Sequence, residues 1–282
     1  MTAQLLIIDP QNDFCDLPPA RCPPGNAPAL PVAGAHADLQ RLASFIDAAG
    51  DVLEAITVTL DSHERLDIAH PGFWCAADGS AVAPFTSITA AQLREGRFRP
   101  RDPALLSRAQ AYVDALEAGG RYTLMVWPVH CEIGSWGHAV HDAVRAACNR
   151  WEERRRRPVE RVLKGRNPYT EHYSALMAEV PDPADPATQL DRALLGRLAP
   201  AQPLLVAGEA SSHCVRATVE HLVEHLGGGL GRIWLLADCM SPVSGFEAES
   251  EYFLAAMRAL GLRVTPQGQA LRSLGLAPEG TT

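Results

Sequence analysis

Three residues that could share the work of nucleophilic catalysis lie next to predicted strands. Asp9 closes the first apolar run in LLIIDPQNDF, and Lys164 ends a later run in RVLKG. Cys214 follows a third run, in the first turn of the amphipathic helix that SSHCVRATVEHL predicts. In an open α/β sheet, the side chains just beyond the carboxyl ends of the strands line the ligand crevice. We therefore expect these three side chains to meet at one edge of a sheet.

The position of Cys214 is typical of a nucleophile. A thiolate at a helix N-terminus is favoured by unpaired N–H groups and by the helix dipole, and those amides can also receive an oxyanion. Each residue also has a purely structural interpretation. Cys214 could be a buried structural cysteine, Asp9 a turn residue before Pro10, and Lys164 an exposed lysine at a strand edge. Their shared position at strand ends favours the catalytic interpretation.

Histidines and an aspartate form a second group. Asp61 and His63 are two residues apart at a predicted strand end, so their side chains can point the same way. His70 follows in the next loop, and His130 comes just after the run Tyr122–Val126. Two imidazoles and one carboxylate with open coordination positions suit one divalent ion such as Zn, Fe or Mn. Alternatively, each histidine is a hydrogen-bonded surface or turn residue.

The elements that must position these groups alternate along the chain, as expected for βαβ units around a parallel sheet. Apolar runs predict strands at Leu5–Ile8, Leu53–Leu60, Tyr122–Val126, Val159–Leu163, Leu204–Val206 and Ile233–Leu236, with a further strand at Leu262–Val264. Helical periodicity occupies Ala35–Ala49, Pro103–Ala118, Gly137–Arg157, Ser212–Leu226 and Ala248–Leu260. The pattern predicts a doubly wound, three-layer α/β/α fold with a mostly parallel six-stranded sheet.

Three stretches do not follow this alternation. Cys15–Pro31 is rich in Pro, Ala and Gly, Cys75–Arg101 mixes turn residues with one short helical piece, and Pro181–Pro200 alternates Asp, Pro and Ala before a short helix. We interpret them as insertions in a single domain spanning residues 1–282.

Composition narrows the range of partners and compartments. The 282 residues are 47% hydrophobic and carry a net charge of −8, which repels nucleic acid and anionic membranes and favours a small-molecule substrate. Seven cysteines without regular spacing do not form a disulfide framework, and the N-terminal apolar run is too short for a signal sequence or a membrane span. These features predict a cytoplasmic protein and leave a homo-oligomer open.

Five sequence blocks together carry a family resemblance. DPQNDF, DSH with a later histidine, WPVHC, VLKG followed by YTEHY, and GEASSHCVRAT occur in the order expected for the nicotinamidase branch of the isochorismatase-like cysteine hydrolases. The sequence resembles that family as an ensemble of motifs. The three insertions and the variation at Glu209, Ser211 and Ser212 depart from the usual pattern and bear on the shape of the pocket.

The resemblance implies roles for particular residues. It implies a catalytic triad of Asp9, Lys164 and Cys214, and a cis peptide between Glu209 and Ala210 that aims the amides of Ala210 and Cys214 at the substrate oxygen. It implies one divalent metal ion on Asp61, His63 and His130, with His70 as an extra or water-mediated ligand. It also implies substrate contacts from Phe14, Trp127 and Tyr173.

The implied activity is hydrolysis of nicotinamide to nicotinate and ammonia through a thioester. A second enzymatic interpretation keeps the triad but takes another small amide or ureido compound. True isochorismatase activity is disfavoured, because vinyl ether cleavage does not need a cysteine here. A non-catalytic alternative is a metal-binding or redox-sensing module, to which Cys131 and Cys15 could contribute.

Overall fold

A computed structural model describes residues 2–276 of the chain. Its strands are β1 Ala3–Ile8, β2 Leu53–Asp61, β3 Trp74–Ala76, β4 Thr86–Ile88, β5 Phe98–Pro100, β6 Leu124–Val126, β7 Glu160–Lys164, β8 Leu204–Gly208, β9 Ile233–Leu236 and β10 Arg263–Thr265. Its α-helices are α1 Ala35–Ala49, α2 Ala90–Arg94, α3 Leu106–Ala118, α4 Asp142–Arg155, α5 Arg192–Leu198, α6 Cys214–His225, α7 Glu247–Ala259 and α8 Gln267–Ser273.

The main sheet has six parallel strands in the order β10-β9-β8-β1-β2-β7. Strand β1 lies inside it, with Leu6 opposite Thr57 on one side and Val206 on the other. Parallel strands inside a sheet are covered on both faces, which explains why β1 is an almost continuous apolar run. The predicted α/β class and six-stranded sheet are confirmed.

Two apolar layers cover the faces of the sheet. Leu6 and Ile8 of β1 belong to a core with residues of α5, α6 and α7, whereas Leu5 and Ile7 belong to a core with residues of α1, α4 and α8. Successive side chains of a strand point to opposite faces, so one short strand contributes to both layers. This alternation produces the three-layer architecture.

One predicted strand has a different place. The run Tyr122–Val126 forms β6, which pairs antiparallel with β4 outside the main sheet, and the sixth strand of that sheet is β10. Leu124 and Val126 pack in a third, smaller core with Trp74 and Val113. The expectation that this run joins the parallel sheet was wrong, because apolar periodicity identifies a strand but not its pairing partner.

The insertions carry more regular structure than the sequence predicted. Cys75–Arg101 contains β4, α2 and β5, and β5 pairs with β3 in a second two-stranded sheet. Pro181–Pro200 contains the predicted short helix, α5, and Cys15–Pro31 has a short 3-10 turn at Pro19–Arg21. Helix α4 begins at Asp142, five residues later than the predicted start at Gly137. Within residues 2–276, none of the helices is both long and apolar enough to cross a membrane.

Candidate active site

Asp9, Lys164 and Cys214 meet at the carboxyl edge of the main sheet, as expected. Asp9 directly follows β1, Lys164 ends β7, and Cys214 begins α6. The Lys164 Nζ lies 2.9 Å from the Asp9 Oδ2 and 3.6 Å from the Cys214 Sγ. All three residues are buried. The sheet therefore brings a carboxylate, an ammonium and a thiol into one group shielded from solvent.

Asp9 is held in an unusual backbone conformation. Its φ is 43°, in the left-handed region that costs energy for a residue with a side chain. The Thr59 hydroxyl on β2 accepts a hydrogen bond from the Asp9 amide at 3.0 Å and donates one to the Asp9 Oδ1 at 2.5 Å. Thr59 thus fixes the backbone and the carboxyl group of Asp9 together.

The charges in this group set the resting protonation states. Burial raises the pKa of the Cys214 thiol well above its usual value, and the Lys164 ammonium only partly opposes this effect. Burial also raises the pKa of Asp9, with Lys164 opposing, which brings a carboxylate closer to the range of a general base. In the resting site, Cys214 is therefore a thiol, and its proton has a nearby acceptor in Asp9.

The second group surrounds the end of β2. Nitrogen atoms of His63, His70 and His130 lie within 4.8 Å of one another. The Asp61 Oδ2 is 3.1 Å from the His63 Nε2 and 3.4 Å from the His130 Nε2. Three imidazoles and one carboxylate oxygen form a donor set that Zn, Fe and Mn accept. The structure brings together all four residues for which a ligand role was predicted.

Outer contacts orient these side chains. The His63 Nδ1 is 3.0 Å from the Asp67 Oδ2, and the His130 Nδ1 is 2.9 Å from the Pro128 carbonyl oxygen. Such contacts on one ring nitrogen fix the orientation of the other, as in known metal sites. Burial lowers the pKa of His70 to about 3, so this imidazole is neutral. Its Nδ1 is buried and has no hydrogen-bond partner among the described residues, which fits a site built for a cation.

Lys164 joins the two groups. Its Nζ donates to the Asp61 Oδ1 at 2.9 Å and to the His172 carbonyl oxygen at 2.9 Å, in addition to its contact with Asp9. Burial alone would lower its pKa, but Asp61 and Asp9 raise the pKa well above its usual value. Lys164 is therefore a permanent cation between one carboxylate of each group.

The predicted substrate-contact residues line the same region. Phe14 packs edge-on against His130, with ring centroids 5.5 Å apart. The Trp127 Nε1 donates to the Tyr173 hydroxyl at 3.1 Å, and both rings lie 5.2 Å from His213. All three predicted residues belong to the apolar cluster that contains Cys214 and Ala210. The structure thus places aromatic rings beside both the histidines and the thiol.

The loop before Cys214 has the predicted backbone feature. The peptide between Glu209 and Ala210 is cis. The backbone amides of Ala210 and Cys214 donate no hydrogen bond to any residue in the range 2–276. Unpaired amides beside a nucleophile can receive the negative charge of a tetrahedral intermediate.

No protein-family model matches the sequence, and no curated protein sequence matches it. Solved structures do match. A yeast nicotinamidase bound to the inhibitor nicotinaldehyde is similar with a TM-score of 0.63 and 19% identity, covering 94% of this chain and 100% of the other. A pyrazinamidase of Pyrococcus horikoshii in complex with zinc gives a TM-score of 0.54 and 17% identity, with 94% and 99% coverage. An isochorismatase-like hydrolase from Alkaliphilus metalliredigens gives 0.53 and 14%, with 97% and 100% coverage.

The chain has the isochorismatase-like hydrolase fold. The agreement extends over nearly the whole length of each compared chain. At these identities the comparison establishes the architecture, while the chemistry depends on the residues at the sheet edge.

Sequence reasoning missed three residues of this candidate site. Thr59 holds Asp9, Asp67 contacts His63, and His213 packs against both Trp127 and Tyr173. Asp67 had a detectable signal, since it is a carboxylate in the loop that follows His63 and metal-ligating histidines commonly hydrogen-bond to carboxylates. His213 directly precedes Cys214, which also marks it. Thr59 had no signal, because a threonine inside a strand is usually just a β-forming residue.

Proposed function

We propose that this protein is a metal-dependent cysteine amidohydrolase that converts nicotinamide to nicotinate and ammonia. The observation that carries the proposal is the buried contact of Lys164 with both Asp9 and Cys214, directly beside the four-residue donor set at Asp61. A thiol, a base and a fixed cation meet the needs of amide cleavage through a thioester.

The first half of the reaction forms the thioester. Asp9 removes the thiol proton as the Cys214 sulfur bonds to the amide carbon, and the amides of Ala210 and Cys214 receive the charge on the carbonyl oxygen. When the intermediate collapses, the C–N bond breaks and Asp9 gives its proton to the leaving nitrogen, which departs as ammonia. Lys164 keeps a positive charge beside Asp9 and the sulfur throughout.

The second half regenerates the thiol. Asp9, again a carboxylate, removes a proton from water as the water oxygen bonds to the thioester carbon. The C–S bond then breaks, the sulfur recovers a proton from Asp9, and the carboxylic acid product ionises on release. One residue therefore acts as base and acid in turn, for which its raised pKa is suited.

The donor set supports the choice of a pyridine substrate. Asp61, His63 and His130, with His70, would hold a divalent ion, which supplies a Lewis-acid position for a ring nitrogen when bound. Phe14, Trp127 and Tyr173 would hold the flat ring between this set and Cys214. Whether Zn, Fe or Mn occupies the site is determined by metal analysis of the purified protein.

The test is ammonia release from nicotinamide by purified, metal-loaded protein, with nicotinate identified as the second product. Cys214→Ala is the matched negative control. Metal binding or peroxide sensitivity without ammonia release from any amide would contradict the proposal and favour the non-catalytic module.

A second candidate substrate is a larger amide or ureido compound. A cavity of about 260 Å³ adjoins the segment before Cys214, and its wall includes Tyr173, His213, Arg121 and Arg216. A panel of amides with anionic or aromatic extensions, compared with nicotinamide by kcat/KM, separates the two candidates.

A further inference from the structure

Glu209 is a buried acid in the loop that precedes the nucleophile. It follows β8 directly, and its side chain is completely shielded from solvent. Its backbone amide donates to the carbonyl oxygen of Ile8, the residue before Asp9, at 2.8 Å. Glu209 thus touches the segment that carries Asp9 and forms one side of the cis peptide with Ala210. The proposed reaction assigns it no role.

Ser241 binds the loop on both sides of Ala210. The Glu209 Oε2 accepts a hydrogen bond from the Ser241 amide at 3.1 Å, and the Ser211 amide donates to the Ser241 carbonyl oxygen at 2.9 Å. The residues before and after Ala210 are therefore fixed to the backbone of one residue. Two such bonds restrict rotation of the peptide plane that carries the Ala210 N–H.

Asp38 on α1 completes the arrangement. Its carboxylate neighbours the Glu209 side chain, accepts a hydrogen bond from the Ser241 hydroxyl at 2.5 Å, and pairs with Arg41. Two buried carboxyl groups in contact share a proton rather than both ionise. Burial, followed by the charge of Asp38, raises the pKa of Glu209 well above its usual value. The Glu209 Oε1 is buried and has no hydrogen-bond partner among residues 2–276, so a protonated Glu209 can donate from it towards Asp38.

We propose that Glu209 is a positioning residue, which fixes the Ala210 amide for oxyanion binding through its hydrogen bond from Ser241, the residue that also binds Asp38 and Ser211. This inference rests on the proposed function, because it assigns to Ala210 the task of receiving the substrate oxygen. Glu209 itself does not touch the substrate. Its effect falls on the transition state, where the oxygen becomes charged, more than on the bound amide.

Two substitutions whose side chains are about as long as that of Glu209 distinguish a role of its hydrogen bonds from a role of its volume. Glu209→Gln keeps an acceptor for the Ser241 amide and a donor for Asp38, so we expect a near wild-type kcat. Glu209→Met fills the same space without either bond. A displaced oxyanion donor should lower kcat about tenfold to a hundredfold while KM stays nearly constant.

Nicotinaldehyde provides a readout that does not depend on turnover. The Cys214 sulfur adds to its carbonyl carbon and the thiol proton passes to the oxygen, which then occupies the place of the oxyanion. The affinity for nicotinaldehyde should fall in Glu209→Met by about the same factor as kcat, and it should stay unchanged in Glu209→Gln. Ile46→Val, on the same helix as Asp38 but in the apolar core, is the control for lost stability, since it lowers the melting temperature without affecting kcat.

Wild-type kcat and aldehyde affinity in Glu209→Met would overturn the inference, and so would an equal loss in Glu209→Gln. If Glu209→Met does not fold, Glu209→Asp replaces it, because the shorter acid cannot reach the Ser241 amide and should show the same loss of kcat. If the wild-type protein releases no ammonia from any amide, the proposed function fails, and the aldehyde affinities of the variants still decide the role of Glu209.

Discussion

The thiol half of the site (Asp9, Ala210 and Cys214) and the imidazole half (Asp61, His63, His70 and His130) are built in different ways. Asp9 and the loop before Cys214 follow β1 and β8, neighbouring strands with Ile8 opposite Gly208. In the imidazole half, Asp61 ends a strand of the sheet, whereas His70 and His130 lie on loops outside it.

Backbone hydrogen bonds connect those loops to each other. The Trp127 amide donates to the Ala69 carbonyl oxygen at 2.7 Å, the His63 amide to that of Cys131 at 3.1 Å, and the Ile133 amide to that of His63 at 3.0 Å. The thiol half is thus set by sheet register and the imidazole half by loop docking. We expect changes in the thiol half to affect the chemical step, and changes in the imidazole half to affect binding.

The largest effect should come from removing the sulfur. Cys214→Ala leaves no nucleophile, so we expect kcat to fall by about 10⁴-fold or more. Metal content at saturating metal should match that of the wild-type protein, because the imidazole half is untouched, and the melting temperature should change little, because only one buried sulfur atom is lost. Steady-state ammonia release measures the first, and metal analysis and thermal unfolding measure the others. Substantial residual turnover would mean that the thioester forms elsewhere or not at all.

Lys164→Met should affect both stability and rate. It leaves Asp9 and Asp61 buried without their shared cation, which should lower the free energy of unfolding by about 3–5 kcal/mol. We expect kcat to fall about 10³-fold, because the charge beside the sulfur is lost. Denaturant unfolding and kinetics of the folded fraction measure the two effects. An unchanged kcat would remove Lys164 from the reaction.

Removing the metal should separate two substrates. A chelator should raise KM for nicotinamide about a hundredfold, because the ring nitrogen loses its partner, and should change KM for benzamide little. His63→Ala should behave like the chelated wild-type protein. Kinetics on both amides, before and after chelation, make the comparison. Equal metal dependence for the two amides would contradict coordination of the pyridine nitrogen.

Asp67→Asn should have a smaller effect, confined to the imidazole half. It weakens the contact that orients His63, and we expect metal affinity to fall about 10–100-fold with little change in kcat at saturating metal. Competition with a metal-sensitive dye measures the affinity. Asp16→Asn, a carboxylate change in the Cys15–Pro31 insertion, is the control and should leave metal affinity unchanged.

The smallest expected effect is a shift in pH dependence. Asp9 acts as a base only when ionised, and its pKa is raised, so kcat/KM should rise with pH through that pKa. The hydrogen bond from Thr59 opposes the increase. Thr59→Val should therefore shift the acidic limb of the kcat/KM pH profile to higher pH, by about one pH unit. A limb that stays in place, or moves to lower pH, would argue that Asp9 is not the titrating base.

The two halves also differ in how far the sequence predicted them. Asp9 and Cys214 were recognisable because parallel strands place their carboxyl ends at one edge whatever the loops do. The expected cis peptide at Glu209 and Ala210 came from motif resemblance and is present. For His130 the motif indicated the residue, but the strand before it was assigned to the wrong sheet. Local periodicity carries no information about which distant strand pairs with β6, so loop docking could not be derived.

Because Lys164 contacts Asp61 and Asp9 at the same distance of 2.9 Å, the two halves of the site are thermodynamically linked. A cation held by Asp61 would compete with Lys164 for that carboxylate, and the ammonium would then be freer to favour a thiolate at Cys214. Linkage is reciprocal, so blocking or ionising the thiol must change metal affinity by the same factor by which metal changes thiol ionisation. Through the single ammonium group of Lys164, metal binding at Asp61 and ionisation of the Cys214 thiol would thus be one coupled equilibrium.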